Sequence, residues 1–105
     1  MQTLQQLTEH IALVWKFVPE RYPDLAGESA EQRESFLIKH LLLHLTKNMG
    51  EIAALCEEFD HRQRINRRQR LQIATIKMFV SVLKLAEESG LSAADLLSQA
   101  PGFVR

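Results

Sequence analysis

The chain has a single cysteine, Cys56, in 105 residues, so no disulfide can close within it and no cysteine cluster is available for zinc. No uncharged apolar run approaches the ~20 residues of a membrane span. The opening MQTLQQLTEH lacks the basic start and apolar block of a secretory signal, so a soluble, cytoplasmic protein with no membrane partner is expected. Gly-rich phosphate loops, nucleophile elbows and paired-cysteine motifs are missing too. So is any excess of charge. The 13 Lys and Arg balance 13 Asp and Glu, which argues against a protein that coats nucleic acid or membrane with its whole surface. Repeats, low-complexity tracts and strand-like alternation do not occur.

What is present is helical periodicity, in a chain of a length that fits one domain. Thr3 is placed to cap a first helix over about residues 4–18, where Leu4, Leu7, Ile11, Val14, Trp15 and Val18 recur at three- and four-residue intervals up to Pro19. Trp15 falls in that stripe and is expected in the core. PERYPDLAGE then reads as a short loop. Ser29 and Gln32 form a capping-box pattern for a second helix over about 30–59, interrupted by no breaker but Gly50 and roughly 45 Å long. Ile38, Leu41, Leu42, Leu45, Met49, Ile52 and Cys56 mark its main apolar face. Phe36, Leu37 and Leu43 lie off that stripe and are expected to touch a partner copy.

After the polar stretch HRQRINRRQR, with Asn66 placed as a cap, a third helix is expected over about 67–89 and closes at Gly90. Ser92 with Asp95 starts a short fourth helix over about 93–100. The expected fold is all-α, a four-helix domain assembled as a helical-bundle homo-oligomer.

The third helix drives the assembly expectation. From Leu71 to Ala86 its apolar side chains cover roughly 260° of the wheel, where a surface helix needs about 100°. Only Lys77, Ser81, Lys84 and Glu88 leave a narrow polar strip. Its apolar faces must be enclosed by the rest of the chain or by other copies. Charge is also segregated. Residues 1–60 carry 5 basic and 10 acidic side chains, residues 61–105 carry 8 and 3, so the halves attract within or between chains.

Two groups of side chains invite a chemical reading. His40 and His44, one turn apart, are weak candidates to share a metal, with Glu51 two turns on and Lys47 in the way. With Glu58 they share one face opposite the apolar stripe, and a solvated polar face is the simpler expectation. Arg62, Arg64, Arg67, Arg68 and Arg70 form a cluster that can chelate a nucleotide or another anion, grip nucleic acid, or pair with the acidic first half. LAEESGLSAADLL has the Ala86, Gly90, Leu96 spacing of a helix-turn-helix. Its second helix, however, offers no Lys or Arg to neutralise phosphate.

A short helix with Trp15, a long helix containing KNMGEIAALCEE, a polar turn, an apolar helix and LKLAEESGLSAADLL together resemble the all-α nucleotide pyrophosphohydrolases, the MazG and dimeric dUTPase-like superfamily. The resemblance covers most of residues 4–97. It implies hydrolysis of nucleoside triphosphates with magnesium held by an EExxE element on one helix and an ExxD element on the next. Here it places Lys47, Asn48 and Glu51 at the first set of acids and Ala74 and Lys77 at the second. One carboxylate among two ammonium groups cannot hold a hard cation, so the resemblance implies a scaffold without the chemistry. Lys47 and Lys77 are then free to meet phosphate directly.

The leading expectation is a non-catalytic helical domain that binds or assembles, with no cofactor. One rival is a divergent magnesium-dependent pyrophosphohydrolase using Glu51, Glu57, Glu58 and Asp60. The other is a nucleic-acid-binding protein using the arginine cluster.

Overall fold

The computed structural model describes residues 2–60 and 66–104, with the side chains of 59 and 60 excepted. The described residues are all-helical: α1 spans Leu4–Val14, α2 Ala30–Asp60, α3 Arg67–Glu88 and α4 Ala93–Gln99. Single 3-10 turns lie at Pro23–Leu25 and Ala100–Phe103. Among the described residues no helix is long and apolar enough to cross a membrane.

Local chemistry sets most of the helix ends. Thr3 with Gln6, Ser29 with Gln32 and Ser92 with Asp95 each form a reciprocal capping box, which satisfies orphan N–H groups in the first turn. Gly90 takes the left-handed conformation at φ 88°, and the Leu91 N–H donates to the Ala86 carbonyl at 2.8 Å. These mark a Schellman C-cap, so the helix-turn-helix spacing is accounted for by ordinary helix termination. Asn66 departs from expectation: it sits in the left-handed region at φ 51° and its side chain makes no capping bond. Gly50 does not interrupt α2, which is one continuous helix of 31 residues.

α1 is shorter than its periodicity predicts. It stops at Val14, and Trp15 turns the backbone to an extended conformation well before Pro19. The turn carries Phe17 inward, where it meets Leu25, Leu37 and Leu41 in the main core cluster. Arg21 donates to the Val14 carbonyl left open at the helix end, a favourable place for a cation. The loop after α1 is thus a core element.

α2 and α3 form the principal pair. Arg33 near the start of α2 bonds Glu88 at the end of α3, while Glu51 and Glu58 bond Arg70 at its start, so the helices are antiparallel. The faces they present to each other are not those that periodicity points to. On α3 the buried residues include Ala74, Ser81 and Lys84, with Lys84 only 2% exposed. Of the narrow polar strip, Ser81 and Lys84 therefore face inward while Lys77 stays exposed. Lys84 is turned in because Glu87 and Glu88 meet its ammonium at 2.8 and 3.1 Å and the Phe17 ring lies 5.6 Å from it.

α2 is rotated in the same way. Leu37, Leu41, Asn48 and Leu55 are buried, whereas Ile38, Leu42 and Met49 of the expected apolar face are largely exposed, Leu42 at 59%. On α3, Leu71, Ile73, Ile76, Phe79 and Val82 are exposed as well. The chain is correspondingly extended, 50 × 34 × 27 Å with a radius of gyration of 16.5 Å. A compact domain of this length has a radius of about 13 Å.

Candidate functional site

The loop after α1 lays aromatic rings against the first half of α2. Phe17 stacks on Tyr22 at 5.0 Å, Phe36 stacks on His40 at 5.7 Å, and the Trp15 indole donates to the Tyr22 hydroxyl at 2.9 Å. His40 also meets Phe17 and Tyr22 edge-on, and Trp15 meets His44 in the same way. The histidines therefore occupy an aromatic wall, which corrects the solvated polar face expected of them. Their Nε2 atoms lie 3.1 Å apart, so one ring donates to the other and both cannot be charged together without losing the bond. Burial first, and then the neighbouring His44, hold His40 below its ordinary value. Among the described residues no group of three or more His, Cys, Asp or Glu is placed to hold a metal ion.

The acidic and basic halves meet along the α2–α3 pair. The Arg70 guanidinium donates to Glu51 Oε1 through Nε and Nη2, at 3.0 and 2.8 Å, and to both oxygens of Glu58 through Nη1, at 2.9 and 2.7 Å. Glu58 and then Glu51 push its protonated form still further toward permanence. Of the arginine cluster, Arg70 is thus engaged within the chain, Arg67 is half-buried and Arg68 is exposed. Arg62 and Arg64 lie outside the described residues, as does the side chain of Asp60. Glu57 is exposed on α2.

Of the three residues expected to touch a partner copy, two are drawn toward the chain's own core. Leu37 is 4% exposed within the core cluster and Phe36 packs against it, because Phe17 and Tyr22 fold over that part of α2. Leu43 alone of the three points outward.

Between the end of α1, the loop, α2 and α3 lies a cleft of about 510 Å³. Trp15, Tyr22 and His44 supply aromatic wall, Asn48 and Ser81 polar floor, and Arg21, Lys47 and Lys77 positive charge. A smaller hollow of about 170 Å³ shares Lys47, Asn48 and Lys77 and reaches Glu51, Arg70 and Ala74. The five positions that the pyrophosphohydrolase resemblance assigns to metal-binding acids, Lys47, Asn48, Glu51, Ala74 and Lys77, therefore line one hollow. The residues there do not fit magnesium. Glu51 is the one carboxylate among the five, it is already held by Arg70, and Lys47 and Lys77 bring like charge to any cation. Sequence reading singled out the two lysines and the histidines, but not Arg21 or Tyr22, whose roles arise only when loop and helices pack.

Compared with known protein families, curated proteins and solved structures, the chain matches none.

Proposed function

We propose that this protein is a non-catalytic helical domain that works by assembly, with a second copy of itself seated on the outward apolar face of the α2–α3 pair. The carrying observation is surface area. The chain exposes 8082 Å², whereas a compact domain of its 12.1 kDa exposes about 6,000 Å². The excess, about 2,000 Å² per chain, is in the range that obligate homodimers cover.

The placement of the apolar rows favours a copy of the same chain. On α2 the exposed row, Ile38, Leu42 and Met49, lies about 90° around from the buried row. On α3 Leu71 and Val82 lie about 90° around, in the same rotational sense, from the strip facing α2. In an antiparallel pair both rows emerge on one side and make a flat apolar patch. Two such patches face to face form a four-helix bundle, the usual way for helical hairpins to bury a shared seam.

The gathering of the five resemblance positions around one hollow supports a pyrophosphohydrolase-like scaffold for this domain, with the metal chemistry gone. Arg70 weighs against the catalytic rival, since it neutralises Glu51 and Glu58, two of the four acids that reading needs. Light scattering across micromolar concentrations tests the proposal. A mass of twice 12.1 kDa or a higher multiple is expected. A sharp monomer throughout overturns it. Pyrophosphate release from nucleoside triphosphates with magnesium, abolished by Glu51→Gln, would revive the catalytic reading.

A further inference from the structure

We infer that the cleft beside Trp15 binds a small phosphate monoester bearing an aromatic group, without a metal ion. Three cationic side chains, Arg21, Lys47 and Lys77, line it and no carboxylate does. Among the described residues neither Lys47 nor Lys77 has an ion pair, although the molecule elsewhere matches Arg33, Arg70 and Lys84 to acids. Two unpaired ammonium groups across one groove repel each other, and a dianion between them removes that cost while making charge-assisted hydrogen bonds.

The floor adds neutral polar groups. Ser81 is 3% exposed and its hydroxyl makes no hydrogen bond among the described residues, yet no fully buried side-chain oxygen or nitrogen there lacks a partner. Its hydroxyl therefore opens into the cleft, able to donate to a phosphoryl oxygen. Asn48 lines the same cleft and is buried, its Nδ2 donating to the His44 carbonyl at 2.9 Å; its amide oxygen makes no hydrogen bond among the described residues and is not fully enclosed, which leaves it as an acceptor for a ligand hydroxyl. The remaining wall is Trp15, Tyr22 and His44, held by the bond from the indole to the Tyr22 hydroxyl, and it suits an aromatic group better than a bare ion.

The cleft also lies clear of the proposed assembly face. Lys47 and Ile38 are nine residues apart on α2, hence on opposite sides of that helix, and Val80 and Leu71 are opposed in the same way on α3. A second copy on the apolar face leaves the cleft open, so occupancy does not depend on the oligomeric state.

The protein has one tryptophan, and it lines the cleft, so indole fluorescence reads the site directly. Phenyl phosphate, inorganic phosphate and phenol are titrated into the full chain with EDTA present, with calorimetry alongside. Saturable quenching by phenyl phosphate is expected, at least about threefold tighter than inorganic phosphate, with no saturation by phenol. Lys47→Ala and Lys77→Ala are each expected to weaken it about tenfold, while Lys39→Ala, at an exposed cation outside the cleft, leaves it unchanged. All three side chains are exposed, so the variants keep the fold. No saturable signal by either method up to ten millimolar overturns the inference, as does binding that survives both lysine substitutions. Equal affinity for inorganic phosphate overturns the aromatic subsite.

Discussion

The Lys84 ammonium lies 3.1 Å from the Glu88 carboxylate, one turn further along α3, and both are enclosed by the start of α2 and the Phe17 ring. Glu88 in turn accepts from both terminal nitrogens of Arg33, at 3.3 and 3.4 Å, so this one carboxylate ties α2 to α3 through two cations. Burial alone would push its pKa up; the Lys84 and Arg33 hydrogen bonds overcome that and hold it below its ordinary value.

Removing the carboxylate leaves Lys84 buried with Glu87 as its remaining partner. Glu88→Gln is expected to cost about 3 kcal/mol in urea denaturation at neutral pH. Lys84→Met, which removes the buried charge and leaves Glu88 with Arg33, is expected to cost less than half as much. Because the folded carboxyl titrates below its unfolded value near 4.5, its contribution is present above that pH and disappears as pH falls through the folded value. The wild-type and Glu88→Gln stabilities should therefore converge in acid; a gap undiminished at pH 2 contradicts the pairing.

His40 sets a second limb at milder pH. Its folded pKa is depressed from 6.5, first by burial and then by His44, so stability is full above about pH 6.5 and declines as pH falls below it. His40→Phe preserves the stack on Phe36 and removes the proton site. Melting temperatures measured from pH 7.5 to 5 should fall for the wild type and stay flatter for the variant. Parallel curves would place the titration elsewhere.

Gly50 occupies the middle of a continuous helix, and a Cβ added there meets nothing within 4 Å. Gly50→Ala is expected to raise stability by about 0.5–1 kcal/mol by lowering the backbone entropy lost on folding. Chemical denaturation with an unchanged slope would confirm it, and a loss would reveal a close neighbour supplied by another copy.

The assembly face predicts a sharper outcome. Leu42→Glu and Val82→Glu alter side chains that are exposed in the single chain, so helical circular dichroism should persist while self-association weakens at least about tenfold. Lys39→Glu, exposed on α2 but outside the apolar row, serves as the control and should leave the mass unchanged. Variants that retain the wild-type mass at every concentration exclude this face as the interface.

What the sequence by itself determined is local. The three capping boxes, the glycine cap at Gly90 and the run of apolar intervals place four helices, because each depends on groups within one or two turns of one another. It also located Lys47 and Lys77, whose shared hollow the fold then assembled. Which side of each helix faces inward was decided only in three dimensions. Periodicity shows where apolar residues lie on a helix but carries no record of what the opposite surface offers. Here Arg33 and Glu88 complement Lys84, Arg70 complements Glu51 and Glu58, and Phe17 arrives from a loop to fill the core. Those long-range pairings turn Lys84 and Glu88 inward, leave Lys77 exposed, and leave the broad apolar arcs of α2 and α3 facing out.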